Sequence, residues 1–158
     1  MLPQLISFPR FLDGRGWFSQ QWQESWKEQY GIPNSMVQTN MAFSSKKNTI
    51  RGLHAQQGLA KLVTVVSGTI MDICVSEKGE VHKFILSGEF PQSLYVPDGY
   101  YHGYKTLTDD TIMMYQQDGF WNKSLEYGVR WNDVVLNIDW ELDGEPIVSD
   151  KDGELPLW

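Results

Sequence analysis

From Lys61 to Val75 the chain runs through Leu, Val, Ile and Thr almost without pause, broken once at Ser67-Gly68. Branched side chains fit a pleated sheet, and a Ser-Gly step between two such runs signals a hairpin. Shorter runs repeat the pattern: Met36 to Phe43, which alternates in part, Val81 to Leu86, Ser93 to Val96, Tyr101 to Leu107 and Thr111 to Gln116. Asp109-Asp110 reads as a turn, and Val134 to Trp140 is a further strand candidate. Roughly eight to ten short strands at about ten-residue spacing predict an all-β sandwich or barrel. Only Gln20 to Tyr30 has helical spacing, with Trp22, Trp26 and Tyr30 on one stripe and Gly31 and Pro33 as the stop. That stripe is expected to be packing. Before it, Leu5 to Phe8 is a short apolar run closed by Pro9, and Phe11 to Gly16 reads as a turn with two glycines. The tail from Glu141 to Trp158 is polar and turn-rich, with a few apolar anchors to pack it across the domain. No internal repeat or low-complexity segment interrupts the series.

The length, 158 residues, suits a single domain over 1–158. Seven Trp, seven Tyr and seven Phe agree with strands and stacking pockets more than with a helical bundle. Twenty acidic residues against thirteen Lys and Arg give a net charge of −7. That balance lacks the footprint of a nucleic-acid binder, yet leaves room for a phosphorylated small molecule held by a few local cations. Cys74 is the only cysteine, so no intrachain disulfide can form, and it is expected to be a small buried hydrophobe. The N-terminus has no signal-peptide pattern and no apolar run approaches a membrane span, so a soluble cytoplasmic protein is expected.

Candidate chemistry starts from three histidines. His82 opens a polar strand and reads as an exposed strand residue. His54 follows Ile50-Arg51-Gly52-Leu53; in a regular strand Arg51 and His54 would face opposite sides, and a bend at Gly52 would bring them together. His102 closes Pro97-Asp98-Gly99-Tyr100-Tyr101-His102, a pattern that resembles the second motif of the cupin jelly-roll superfamily. Metal-binding cupins add a His-x-His and a Glu; here the earlier segment offers His54 alone, short of the three ligands a site needs, so no metal is expected.

Six segments appear in one order: Phe11 to Phe18, Gln38-Thr39-Asn40, Ile50 to Gln56, Pro97 to Tyr104, Glu126 to Asp133 and Val148 to Asp152. Together they resemble the dTDP-4-dehydrorhamnose 3,5-epimerase family over residues 8–155. The resemblance implies a cupin-type jelly roll with one short helix near the N-terminus, a homodimer, no metal and no cofactor. It also implies a nucleotide-diphosphate-linked 4-keto-6-deoxysugar as substrate, inverted at C3 and C5. Such inversion needs a base for the proton beside the ketone, a donor for the enolate oxygen and an acid on the opposite face. By the same resemblance His54 is the base, Asp152 its partner, Lys61 the enolate donor and Tyr115 the acid. Asp150 competes with Asp152 for the partner role. Trp121 stands where the family has a second tyrosine and would stack on the sugar. Arg51 and Arg15 would meet the diphosphate. Gln38 and Asn40 would hydrogen-bond sugar or phosphate, and Phe18 would touch the nucleotide base. Asp72 and His102 would line the site, and Gln20 stands where the family often has a glutamate.

The chain departs from the family pattern in a short loop between His54 and Lys61, in Ser76-Glu77-Lys78-Gly79, at Gln20, and at Val134 where proline is common. These departures lie in substrate recognition, so a changed base (GDP or CDP), a changed sugar, or one inversion in place of two is compatible with them. Three other readings compete. A cupin sugar 3,4-ketoisomerase shares fold and substrate type, a non-catalytic sugar-nucleotide binding module would need no base–acid pair, and a metal cupin oxygenase lacks its ligands.

Overall fold

In a computed structural model describing residues 1–158, the strand-rich reading holds. The strands are β1 (Gln4–Ser7), β2 (Phe11–Asp13), β3 (Gly16–Phe18), β4 (Gln38–Ser44), β5 (Ile50–Gln56), β6 (Lys61–Ser67), β7 (Thr69–Ser76), β8 (Val81–Ser87), β9 (Gln92–Val96), β10 (Tyr100–Thr106), β11 (Thr111–Gln117) and β12 (Glu126–Gly128). Two short helices, α1 (Trp26–Tyr30) and α2 (Asp150–Gly153), complete it. One antiparallel sheet has the order β1-β9-β6-β11-β4, the other β12-β5-β10-β7-β8, and β2-β3 stands apart as a hairpin. Five strands face five across a common interior, the expected jelly roll.

Burial on both faces explains the unbroken apolar run of β7. Ile70 and Cys74 point inward and join Val63, Val65, Leu86, Leu94, Val96, Tyr104 and Met113 between the sheets. Met71, Ile73 and Val75 point the other way, under Val129, Leu136 and Trp140 of the C-terminal segment. A third cluster seats α1 on the outer face of the first sheet, with Trp26 and Phe8 stacked at 4.8 Å between ring centroids. From the tail, Val148 packs against the second of these clusters and Trp158 lies edge-on to Tyr101, the packing across the domain that was expected, and Cys74 is buried. No helix is long and apolar enough to cross a membrane.

Four local expectations need correction. The helix is confined to Trp26–Tyr30, ended by Gly31 in the left-handed conformation (φ 67°). Its N-cap Ser25 makes no side-chain cap bond, and Trp22 reaches the same apolar cluster from outside the helix, so packing is satisfied without another turn. Phe11 to Gly16 is more than a turn, because flanking residues pair as β2 and β3 around Gly14-Arg15. Val134 to Trp140 forms turns, not a strand. There Asp133 accepts the backbone N–H groups of Val135 and Leu136, which bends the chain and drops Leu136 and Trp140 into the core. His82 is half-buried with its Nε2 closed off, against Tyr100 at 6.0 Å.

Candidate active site

A cavity of about 350 Å³ opens between the two sheets. Arg51, His54, Lys61, His102, Tyr115, Trp121 and Asp152 all line it, although they come from six separate segments of the chain.

Gly52 sets the first part of this geometry. Its φ is +112°, and a Cβ there would sit 2.7 Å from Gly103 Cα and from the His102 carbonyl oxygen. Only glycine allows β5 to approach β10 so closely. The resulting bend places Arg51 and His54 on one cavity, as anticipated. His102 is the direct cross-strand neighbour of His54, and Gly128 is its neighbour on the other side.

Each cavity histidine is bound to a carboxylate. Asp152 Oδ1 lies 2.8 Å from His54 Nε2, while its Oδ2 accepts the Gly52 N–H at 3.0 Å. Ser149 caps α2 by accepting the Asp152 N–H, so the aspartate is fixed at both ends. Burial pushes the Asp152 carboxyl upward, but the hydrogen bonds from His54 and Gly52 outweigh it and hold it below the usual value. Asp150, the competing candidate, is exposed at the helix start and does not line the cavity. His102 Nε2 lies 2.9 Å from Asp72 Oδ2. Asp72 is fully buried behind that histidine and does not itself line the cavity.

The facing wall carries Lys61 and Tyr115. Gln117 pairs with Lys61 and Tyr115 with Val63, so the lysine and the tyrosine are diagonal neighbours on one face. Burial lowers the Lys61 ammonium's pKa, despite the charges of Asp72, Cys74 and Glu126. The lysine's exposed surface opens onto the cavity. Burial raises the Tyr115 hydroxyl's pKa, and the charge of Glu126 adds to it, so the phenol keeps its proton at neutral pH.

Gln38 and Asn40 stand just outside. Gln38 donates to Asn40, Asn40 donates to the cavity residue Gln117, and Gln38 Oε1 accepts the Trp121 N–H at 3.1 Å. Arg15, Phe18 and Gln20 lie away from the cavity of their own chain. Arg15 pairs only with Asp13, and its side chain is 91% exposed.

Sequence reasoning passed over Glu126, Lys151, Gln56, Gln117 and Tyr104, which also line the cavity. Gln56 holds the segment that carries Trp121, donating to the Phe120 carbonyl and accepting the Asn122 N–H. Glu126 lay inside a quoted motif, but its nearness to His54 comes from the β12–β5 pairing, which no local pattern announces. No group of three or more His, Cys, Asp or Glu side chains is arranged to hold a metal ion.

The sequence pattern of the dTDP-4-dehydrorhamnose 3,5-epimerase family matches residues 4–158. A relative of that name from Salmonella typhimurium is 34% identical over 97% of this chain and 89% of its own length. The crystal structure of the Bacillus anthracis enzyme of that name, with TDP and PPi bound, superposes with a TM-score of 0.94 at 36% identity, covering 99% of this chain and 94% of that one. The Legionella pneumophila dTDP-6-deoxy-D-glucose-3,5-epimerase, in complex with dTDP-4-keto-L-rhamnose, gives 0.91 at 32% identity, covering 98% and 87%. The shared fold, the near-complete coverage and the pattern matched from residue 4 to residue 158 lead to one conclusion: this chain belongs to the dTDP-4-dehydrorhamnose 3,5-epimerase family.

Proposed function

We propose that the protein is an isomerase that inverts C3, C5 or both in a nucleotide-diphosphate-linked 4-keto-6-deoxysugar. The observation that carries this reading is the opposition of the His54–Asp152 pair on one sheet to Tyr115 on the facing sheet, with the cavity between. A sugar held there presents one ring face to a base and the other to an acid. Asp152 accepts from Nε2, which fixes the tautomer and stabilises the imidazolium once His54 has taken the proton. Lys61, beside Tyr115, is the donor for the enolate oxygen that forms as the C–H bond breaks. Tyr115 then returns a proton from the opposite face. Arg51, with its guanidinium held by Ser44 and the Phe43 carbonyl, is the cavity cation suited to the diphosphate.

Proton NMR of dTDP-4-keto-6-deoxyglucose with the enzyme in deuterium oxide tests the reading. Deuterium is expected at C3, at C5 or at both, which also separates single from double inversion. A stable substrate spectrum with the dTDP, GDP and CDP forms alike would sink it.

The assembly we propose is a homodimer in which the β2–β3 hairpin completes the neighbouring cavity. Phe11, Leu12, Trp17 and Phe18 on this hairpin are all exposed, an apolar surface that a lone chain leaves in water. Arg15, Phe18 and Gln20 could then reach substrate despite lying outside their own cavity. Mixing Arg15→Ala with His54→Ala chains is expected to restore activity, because one site of each mixed dimer escapes both changes. No recovery after verified subunit exchange would refute the shared site.

A further inference from the structure

We propose that Glu126 is a second carboxylate of the base, stabilising protonated His54 from the Nδ1 side as Asp152 does from the Nε2 side. The inference rests on His54 being the base, as proposed above.

The geometry around the imidazole is two-sided. Asp152 accepts from Nε2 at 2.8 Å, so the lone pair of the neutral ring lies on Nδ1. Nδ1 has no hydrogen-bond partner and is closed off from solvent. Glu126 Oε1 lies 3.8 Å from it. That distance is too long for a hydrogen bond. The neutral ring therefore gains little from this carboxylate. Once His54 is protonated, the positive charge of its ring lies beside that anion. An attraction that grows only as charge moves from carbon to nitrogen lowers the barrier without tightening substrate binding.

Glu126 is built to keep this place. Its strand pairs with β5, setting Glu126 opposite Gln56 and Gly128 opposite His54. Its other oxygen, Oε2, accepts from Lys151 Nζ at 3.0 Å, and only 20% of its side chain is exposed. Burial pushes its carboxyl upward, but Lys151 and His54 outweigh that, so it stays ionised through the neutral range. The other charged and titratable groups around the imidazole are Asp152 and Lys151 from α2, His102 from β10, Lys61 and Tyr115 from the facing sheet, and Arg51 from its own strand. Lys151 alone among them ion-pairs with Glu126, so it sets how much of the carboxylate's field reaches His54.

Glu126→Gln keeps the shape and removes the charge. In this variant kcat is expected to fall roughly tenfold with KM little changed, the factor that one pH unit of lost stabilisation represents. The acid limb of the pH–rate profile should move down by about one unit, because an imidazole without its anion gives up its proton more readily. Lys151→Met should move the same limb upward, since Glu126 then acts unopposed. NMR titration of the three histidines in the free protein provides a readout independent of turnover, and the midpoint of one alone should follow the same two directions. Lost activity with an unmoved limb and unmoved titration would reduce Glu126 to a structural part and overturn the proposal. So would two variants that shift alike. If the titration moves in both directions while the wild-type enzyme exchanges no substrate proton, the pairing stands and the epimerase reading falls.

Discussion

Deuterium entry at both C3 and C5 is expected to cease in His54→Ala, because His54 is the base proposed for both positions. A positioned general base contributes about 10²–10⁴ in rate, so turnover should fall by that factor or more. The fold should survive. His54 is half-buried on the cavity side, whereas its neighbours Leu53 and Ala55 are buried. Asp152 loses one partner but keeps the Gly52 N–H. Near-unchanged thermal unfolding with exchange abolished at both carbons is the expected pair of results. Near-full turnover would remove His54 from the base role. Exchange lost at one carbon only would mean that the second inversion uses a different base.

Why His54 could be singled out, and Glu126 could not, follows from where each signal resides. Arg51-Gly52-Leu53-His54 is a local string, and the bend at Gly52 is a local property of glycine. The partner of His54 lies almost a hundred residues away, and there only the order of segments supplied the pairing. The branched run from Lys61 to Val75, broken at Ser67-Gly68, announced two strands joined by a tight turn, which β6 and β7 are. The turns around Asp133 were hidden because Val134 to Trp140 carries strand-like side chains. A single carboxylate taking two N–H groups overrides that preference. Glu126 owes its place to a ladder between β12 and β5, and register between distant strands leaves no trace in either one. The same reason hid Gln56 and Gln117. The hairpin shows the reverse case: its motif was legible, yet Arg15 lies away from the cavity of its own chain and pairs only with Asp13.

Tyr115→Phe is expected to separate two events that His54→Ala stops together. The ring can stay, since Tyr115 packs against the core between the sheets and Phe keeps that contact. Only the hydroxyl is lost. His54 can still take the proton and Lys61 can still meet the enolate oxygen, so the enolate forms. Its return is then confined to the His54 face, which restores the starting configuration. In deuterium oxide, substrate should therefore pick up label with retention wherever the base exchanges its proton before collapse. Inversion should slow by about 10²–10⁴, the range for a lost general acid. In the unaltered enzyme burial and the Glu126 charge keep the Tyr115 proton in place at neutral pH, which suits a donor and disqualifies a base. The ratio of exchange to inversion is the decisive quantity, because a loss of binding would lower both equally. Equal loss would make Tyr115 a positioning residue, and unchanged inversion would assign the acid to another group of the facing sheet, with Lys61 beside it the first to test.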